Sequence, residues 1–411
     1  MKILALAYAC EPCRGSEPGV GWNWIRQATM MEDVSISVVT RANNKSVIED
    51  YILMNPDVND EKLDFYYYDL PQKILQHKHG DKNIKMFYTL WQIGVLIYIK
   101  KHIQLDEYNI IWDFNFGSLA LPDFVYMLKK KYVIGPVSTK ESIPKTYIKT
   151  YSLKKRVKYG IQQFVRVHLW LNPFTWKTLK KAELIITCNE MSRKYLPRNK
   201  KSIAVFHNGL DLKESPNVAI TADNQFLELV FAGRLIESKN LETALLALKI
   251  LKEKHDNFRF DIYGNGPLKN KLQELVSKYN LLDNVFFYSN VKQNELFEIY
   301  RKKDVFFFPS LLEISSTAVM EAMYCGIVPV CLDIPCMEYI LNNEGIISIP
   351  NISPIEDAKQ LSNILSGMIE SKDIVRDMKK NAMVTAENTF LWKSKSKEIH
   401  RVISAMKLLC K

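Results

Sequence analysis

The sequence predicts an α/β protein with two doubly wound domains, each a parallel sheet covered by helices. Apolar runs alternate with amphipathic stretches in both halves of the chain, a pattern typical of parallel strands joined by right-handed crossovers. The 411 residues exceed a single core and suit two domains of about 200 residues each. A polar stretch with Pro and Gly, 209–224, indicates the linker. We therefore expect domains over 1–208 and 209–388.

Each half contains five strand-like runs. In the first half they are KILALAYA, VSISVVT, LDFYYYDL, NIIWDF and KYVIGP. In the second half they are FLELVFAGR, FRFDIYG, NVFFYS, DVFFFPS and VPVCLD. The N-terminal run is followed by no small-residue cleavage site, so it is interpreted as a buried strand and not as a signal peptide. The apolar stretch 87–99 is too short to span a membrane and carries Gln92, so we expect a buried or interfacial helix.

The net positive charge lies entirely in the first half. Residues 1–200 contain 30 Lys and Arg against 19 Asp and Glu, whereas 201–411 contain 26 of each. Between residues 142 and 182 there are ten basic residues, no acidic residue and many aromatic ones. Such a segment is either a solvated face or a surface for anionic lipid headgroups. Nucleic acid is not expected as a partner, because the second half is neutral and no nucleic-acid-binding module is recognisable.

The cysteines predict no metal site. The seven cysteines are odd in number and lie mostly in apolar contexts, which suits a reducing compartment. Cys10 and Cys13 have the spacing of zinc ligands, but no second pair of ligands follows them.

Two glutamates eight positions apart, Glu313 and Glu321, are the most informative feature of the chain. They lie in PSLLEISSTAVMEAMYCGIVPV, 309–330, after an apolar strand at 305–309. We expect Glu313 at the strand-to-helix turn and Glu321 about two helical turns later, both facing one cleft. Carboxylates accept bidentate hydrogen bonds, so this pair suits the hydroxyls of a sugar ring and a ribose.

Two further segments have the composition of phosphate-binding loops. Gly15, Gly19 and Gly21 follow the first strand and are expected to precede a helix, where backbone amides can approach a phosphate or sugar. Arg234 and Lys239 follow the first strand of the second half and could grip a diphosphate. Tight turns also favour glycine, and the two cations could equally be solvated surface charges.

In this order, the motifs resemble the retaining glycosyltransferases of family 4, which have the GT-B architecture of two facing Rossmann-like domains. The resemblance covers nearly the whole chain. It rests on the glycine-rich loop, FHNGLD (206–211), AGR with Lys239, YGNGP (263–267) and the Glu-x7-Glu motif. The GSEPGVGWNW loop and YVIGPVS (132–138) are similar to the branch that builds bacterial surface polysaccharides. By the same resemblance, 389–411 holds a final helix that packs back on the N-terminal domain.

The resemblance implies a role for each motif residue. Glu321 would bind the ribose, Glu313 the transferred sugar, and Arg234 with Lys239 the diphosphate. Further residues would line the donor nucleotide and sugar: Gly19, Gly233, Gly264, Ser315, Ser316 and Thr317. The acceptor and membrane side would be basic: Lys154, Lys155, Arg156, Lys158 and Arg166. Catalysis would combine positioning with electrostatic relief of the leaving diphosphate, without a metal or other cofactor.

Three positions depart from the family pattern. Relatives often have a His at the end of the fourth strand, where this chain has Asp113 and Asn115. Relatives commonly have Gly where this chain has Ser316, and paired glycines where it has 334–336, Ile-Pro-Cys. These departures bear on which sugar is held and on how active the enzyme is.

The leading hypothesis is a glycosyltransferase that moves a sugar from a nucleotide sugar to a lipid-linked glycan or other glycan acceptor in surface-polysaccharide synthesis. It would act as a peripheral protein on the inner, cytoplasmic face of the membrane. Two alternatives stay open: a nucleotide-sugar epimerase of the same two-domain architecture, and a non-catalytic membrane-associated assembly subunit.

Overall fold

The computed structural model describes residues 1–56, 61–77, 83–114, 117–119, 121–139, 143–212, 226–313, 315–334 and 337–411, except for the side chains of 16, 166 and 167. The chain divides into two compact units. Unit 1 comprises residues 1–139, 160–209 and 395–411, and unit 2 comprises 140–159 and 210–394. Most of the predicted linker lies outside the described residues.

Unit 1 is built on a seven-stranded parallel sheet in the order β3-β2-β1-β4-β5-β6-β7. The strands are β1 (Lys2–Leu6), β2 (Ser35–Thr40), β3 (Leu63–Tyr67), β4 (Ile110–Asp113), β5 (Tyr132–Val137), β6 (Leu184–Thr187) and β7 (Ser202–Ala204). The helices are α1 (Ser16–Thr29), α2 (Lys45–Met54), α3 (Gln72–Leu75), α4 (Ile84–His102), α5 (Lys145–Ile148), α6 (Leu153–Val167) and α7 (Pro173–Lys181). Of these, α5 and the first half of α6 belong to unit 2.

Unit 2 repeats the scheme with six parallel strands in the order β10-β9-β8-β11-β12-β13. The strands are β8 (Leu227–Ala232), β9 (Phe258–Tyr263), β10 (Val285–Tyr288), β11 (Val305–Phe308), β12 (Val328–Leu332) and β13 (Ile347–Ile349). The helices are α8 (Leu241–Lys252), α9 (Lys269–Lys278), α10 (Gln293–Tyr300), α11 (Thr317–Tyr324), α12 (Glu338–Leu341), α13 (Pro354–Glu370) and α14 (Lys372–Thr385).

The two sheets confirm the predicted α/β fold. Their strands form continuous apolar runs because helices cover both faces, and residues such as Leu4, Ile111, Phe260 and Phe307 are fully buried. In both sheets the first strand lies between the second and the fourth, so the direction of winding reverses beside it. Open parallel sheets bind ligands at this point, beyond the carboxyl ends of the strands.

The stretch at 87–99, expected to be a buried or interfacial helix, lies within helix α4, which packs into the core of unit 1 through Phe87, Tyr88, Trp91 and Val95. None of the described helices is both long enough and apolar enough to cross a membrane. The last helix, α15 (Ser396–Cys410), is part of unit 1. There the Glu398 carboxylate accepts a hydrogen bond from the backbone amide of Phe206, and the Lys131 ammonium donates one to the carbonyl of Leu409.

The loops after β8 and β9 approach each other through two glycines. Gly233 and Gly264 have φ angles of +155° and +157°, which side-chain-bearing residues rarely adopt. A Cβ atom on Gly264 would lie 2.0 Å from the carbonyl oxygen of Gly233. Gly264 is therefore required by this backbone contact, whereas Gly233 is favoured by its φ angle alone.

Replacing Gly264 with alanine is expected to lower the free energy of unfolding by at least about 2 kcal/mol, because backbone must shift to admit the methyl group. Chemical denaturation measures this. The control is Gly367→Ala on the exposed side of α13, where no atom lies within 4 Å of the new Cβ. There alanine should stabilise the helix by up to about 1 kcal/mol. Equal stability of the two variants would show that the glycine contact is not needed.

Candidate active site

Unit 2 brings Lys239 and Glu313 together at the point where its winding reverses. Lys239 lies in the loop after β8, and Glu313 lies in the loop after β11, the strand paired with β8. The Lys239 ammonium nitrogen is 2.5 Å from Oε1 of Glu313. Their side chains are only 19% and 14% exposed, so the pair is partly shielded from solvent. The sequence predicted both as site residues but not this contact.

Two neighbours fix this ion pair. The Ser310 hydroxyl is 2.7 Å from the same Glu313 oxygen and 3.0 Å from the carbonyl of Ser238. The Lys239 ammonium lies 4.6 Å from the centre of the Phe308 ring, within cation–π range. No described residue donates a hydrogen bond to the other carboxylate oxygen, Oε2. Glu313 can therefore hold Lys239 and still accept a ligand hydroxyl.

Arg234 is the second cation of the β8 loop. Its side chain is exposed, and its guanidinium makes no ion pair or hydrogen bond with any described residue. A guanidinium presents several donors in a planar fork that matches phosphate oxygens. The loop thus carries one cation neutralised by Glu313 and one that can pair with an anion.

Glu321 lies in helix α11, and its carboxylate accepts a hydrogen bond from the Gln293 amide at 2.5 Å. Burial raises the pKa of Glu321 to about 7, although the Gln293 bond opposes this shift. The carboxyl therefore holds its proton to a higher pH than an ordinary glutamate does. It also helps to raise the pKa of the buried Tyr300 hydroxyl, behind the effect of burial itself.

Helix α11 begins later than the sequence spacing suggested. Its first residue is Thr317, with the buried Ser316 before it in extended conformation. Glu321 therefore lies about one turn into the helix and Glu313 in the preceding loop, so the expectation of two intervening turns was wrong. No side chain caps α11, and backbone N–H groups at such a helix start can bind a ligand anion. Ser315 lies in the loop before them, and Ile314 is outside the described residues.

The sequence analysis expected Gly19 and Gly21 to precede a helix, but both lie inside α1. The helix begins at Ser16, and Pro18 fits its first turn because the missing N–H is not needed there. Cβ atoms on Gly19 and Gly21 would lie 1.8 Å and 2.4 Å from the carbonyl oxygens of Arg14 and Ala9. The glycines thus let the helix approach the preceding loop. A ligand-lining role for Gly19 stays a prediction.

Asp113 ends strand β4 and is fully buried in unit 1. Burial, reinforced by the Asp123 carboxyl, raises the pKa of Asp113 well above its usual range. A neutral buried carboxyl of this kind is a core group and not an exposed sugar ligand. Asn115, Pro335 and Cys336 lie outside the described residues, whereas Ile334 is buried.

The basic residues of α6 have different surroundings. Lys154, Arg156 and Lys158 are exposed, and the Arg156 guanidinium hydrogen-bonds the backbone carbonyl of Tyr151 at 2.8 Å. Lys155 forms an ion pair with Glu237, two residues before Lys239. The side chain of Arg166 lies outside the described part of the structure.

Sequence reasoning missed Ser310, Gln293 and Glu237. Ser310 belongs to the quoted PSLLE motif, so its position was a usable signal. Gln293 and Glu237 belong to no motif, and only the fold brings them to Glu321 and Lys155. Among the described residues no group of three or more His, Cys, Asp or Glu side chains is placed to hold a metal ion. Whether the reaction needs a metal stays a prediction.

Replacing Asp113 with asparagine is expected to flatten the dependence of stability on pH. Because the pKa of Asp113 is raised in the folded state, its contribution to stability is complete below the unfolded pKa, about 4. That contribution is lost as pH rises toward the folded pKa. The melting temperature of Asp113→Asn relative to the unmodified protein should therefore rise between pH 5 and pH 8. The exposed Asp106→Asn is the control, and parallel profiles for all three proteins would contradict the assignment.

Comparison with protein families matches residues 217–385 to the model described as Glycosyl transferases group 1. The match begins in the predicted linker and covers Arg234, Lys239, Glu313 and Glu321. The candidate site residues of unit 2 therefore lie in the stretch that matches this family model.

Curated relatives match the chain over shorter stretches. The gpi3 subunit of phosphatidylinositol N-acetylglucosaminyltransferase from Schizosaccharomyces pombe is 27% identical over 141 residues, 34% of this chain and 31% of the relative. An uncharacterised glycosyltransferase of Methanocaldococcus jannaschii is 30% identical over 204 residues, 43% of this chain and 48% of the relative. The Escherichia coli K12 protein named "Putative colanic acid biosynthesis glycosyltransferase WcaL" is 34% identical over 137 residues, 32% of this chain and 33% of the relative. The chain thus matches less than half of each relative.

Solved structures share the fold over almost the entire chain. Sucrose-phosphate synthase from Thermosynechococcus elongatus covers 99% of both chains with a TM-score of 0.64 and 14% identity. Anabaena HepE in complex with UDP covers 98% of this chain and 100% of its own, with a TM-score of 0.61 and 15% identity. These likenesses show the fold. The chain has the GT-B fold, and its residues 217–385 match the glycosyl transferases group 1 model.

Proposed function

We propose that this chain is a retaining glycosyltransferase that moves a sugar from a nucleoside diphosphate sugar to a lipid-linked glycan or other glycan acceptor. The observation that carries the proposal is the Lys239–Glu313 pair beside the unpaired Arg234 at the winding reversal of unit 2. Two cations, one of them already held in place, suit a diphosphate that gains charge as it leaves. The glycosyl transferases group 1 match over the same residues supports transfer as the reaction.

Arg234 and Lys239 would bind the diphosphate, with Arg234 supplying a fork and Lys239 a point charge. HepE has been solved with UDP and with UDP-glucose, and this supports a nucleotide sugar as the donor here. The close approach of Gly233 to Gly264 would let the donor contact backbone in the same loops. A screen of nucleotide sugars would identify the base and the sugar of the donor.

Glu321 would hold the ribose. When ionised, its carboxylate can accept hydrogen bonds from ribose hydroxyls while it keeps the bond from Gln293. Its raised pKa of about 7 implies that the Glu321 carboxyl is protonated in part of the free protein molecules at neutral pH. Because the ionised form accepts more hydroxyl bonds, nucleotide affinity should strengthen as pH rises through 7.

Glu313 would hold the transferred sugar through its second oxygen, near the backbone amides at Ser315, Ser316 and Thr317. In a retaining transfer, the bond from the anomeric carbon to the diphosphate breaks and a bond to the acceptor oxygen forms on the same face. The acceptor proton passes to the departing diphosphate. This chemistry requires positioning and charge neutralisation, which the Lys239–Glu313 pair and Arg234 supply.

Helix α6 supports a membrane-bound acceptor. Leu153, Val157, Ile161 and Phe164 are exposed at spacings of four, four and three residues, so they form one apolar helix face. Lysine and arginine residues flank this face, as in helices that lie in the surface of anionic membranes. We propose a peripheral position on the inner face of the cytoplasmic membrane. The name of the WcaL relative supports a role in surface-polysaccharide synthesis.

Arg234→Ala and Glu313→Gln are each expected to reduce sugar transfer by about 10²-fold to 10³-fold. Arg234→Ala removes a cation that stabilises the negative charge developing on the leaving diphosphate. Glu313→Gln removes the carboxylate that positions Lys239 and holds the transferred sugar. Nucleotide release from UDP-glucose, UDP-N-acetylglucosamine and GDP-mannose first identifies the donor, and transfer of the labelled sugar is then measured. Glu274→Gln at an exposed residue and Arg376→Ala at a partly exposed residue, both elsewhere in unit 2, should leave turnover unchanged. Undiminished turnover in both site variants would contradict the assignment. Interconversion of nucleotide sugars without transfer would indicate an epimerase.

The protein is expected to sediment with vesicles that contain phosphatidylglycerol at low salt and to be released as salt rises. Changing Lys154, Arg156 and Lys158 together to glutamate should reduce binding at least tenfold, since each basic residue near the surface contributes about 1 kcal/mol. The matched control changes three exposed lysines of unit 2 to glutamate: Lys254, Lys278 and Lys302. Failure to sediment at low salt, or equal losses in both triple variants, would leave α6 as a solvated face.

A further inference from the structure

A cavity of about 410 Å³ lies within unit 2, outside the candidate donor residues. Its walls come from the segment around Tyr147 and Tyr151, from helices α8 and α9, and from Leu311. This volume is within the range of small-molecule sites, which are mostly apolar with a few polar groups that orient the ligand. The cavity is therefore large enough for one or two sugar rings.

The charged side chains around the cavity neutralise each other. Lys155 pairs with Glu237, and the Lys271 ammonium is 2.5 Å from the Glu242 carboxylate. An anionic or cationic ligand would have to compete with these ion pairs for its partner. The balance of charge instead favours an uncharged ligand, which can accept from the lysines and donate to the carboxylates while both pairs persist.

The remaining lining combines apolar surface with an unsatisfied hydroxyl. The rings of Tyr147 and Tyr279 and the side chains of Leu246 and Leu268 supply apolar walls. The Tyr151 hydroxyl is buried, and no described residue is its hydrogen-bond partner. Burial raises the pKa of this hydroxyl to about 12, so it stays a neutral donor. An acceptor on a ligand would satisfy this donor, which a purely apolar ligand cannot do.

We propose that this cavity is a second carbohydrate site, which takes an uncharged saccharide of one or two rings. A sugar ring has apolar C–H faces that can lie on tyrosine and leucine side chains, and hydroxyls that can bond Tyr151, Glu237 and Glu242. The choice of a saccharide among uncharged polar ligands rests on the proposed function, since a transferase that extends glycans meets saccharides as substrates and products.

The cavity shares structural elements with the candidate donor site. Glu237, which lines the cavity, begins the short 3-10 helix that ends at Lys239. The amide of Leu311, another lining residue, donates to the Ser238 carbonyl at 2.8 Å. Ser310, next to Leu311, contacts both Ser238 and Glu313. A saccharide that contacts Glu237 and Leu311 therefore touches the two loops that hold the Lys239–Glu313 pair.

Saturation-transfer difference NMR with cellobiose, lactose and maltose tests the proposal on the full-length protein. Spectra are recorded without nucleotides and again with excess UDP and GDP, which displace a saccharide from the donor site. At least one disaccharide should receive saturation from the unmodified protein. Leu246→Trp fills the cavity and should abolish the signal, and Tyr151→Phe should weaken affinity about threefold to tenfold. Tyr126→Phe, which removes a hydroxyl from unit 1, is the matched control and should leave the signal unchanged.

Absence of a signal from all three disaccharides would overturn the proposal. So would a signal that nucleotides remove, or one that both cavity variants retain. Thermal melting shows whether Leu246→Trp is folded, and Tyr151→Phe keeps the test valid if it is not. Nucleotide binding by the same samples separates this proposal from the donor function. A disaccharide signal that depends on the cavity, in a protein that binds neither UDP nor GDP, would support the second site and contradict the donor site.

Discussion

The ion pair between Lys239 and Glu313 joins the loops that follow two neighbouring strands, β8 and β11, and the candidate site is organised around it. Both partners are largely shielded from water, so removing either one would leave an uncompensated charge in a poorly solvated place. Ser310 strengthens the connection because its hydroxyl reaches Glu313 and the Ser238 carbonyl. The pair thus holds a cation ready for an anionic ligand and leaves one carboxylate oxygen available.

The surrounding loops depend on close backbone contacts. Gly264 packs against the carbonyl of Gly233, which brings the β9 loop against the loop that carries Arg234 and Lys239. On its other side the 237–239 turn receives hydrogen bonds from the β11 loop and the ion pair from Lys155. Lys155 belongs to the basic segment of the sequence, so this segment includes a residue that contacts the candidate donor loops. The apolar face of α6 can serve a membrane independently of that contact.

The fold could be predicted from the sequence because buried parallel strands have a simple pattern. Each is an apolar run followed by an amphipathic stretch with helical periodicity. Side-chain placement was harder. Asp113 and Asp261 look like polar ends or interruptions of strands, yet both are buried, and Asp261 is 2.6 Å from the buried Lys303. Asp261 and Lys303 are distant in sequence, and no local pattern predicts that they form a pair. The start of α11 and the position of Gly19 within α1 were also misjudged, because glycine and serine are compatible with either a loop or a first helical turn. The sequence motifs did indicate Glu313 and Lys239 as site residues. Their direct contact could not be predicted without knowing that β8 and β11 are neighbouring strands.

Calorimetric titration of UDP and GDP into the unmodified protein and into Lys239→Met tests most directly whether the loops after β8 and β11 bind a nucleoside diphosphate. Methionine keeps most of the length and the apolar stem of the side chain and removes the ammonium group, with its charge and its hydrogen-bond donors. We expect one of the two nucleotides to bind, and the substitution to weaken that affinity about tenfold or more, since a charge-assisted contact to phosphate contributes about 1.5–3 kcal/mol. Binding of equal strength to both proteins, or binding of neither nucleotide to the unmodified protein, would contradict the account.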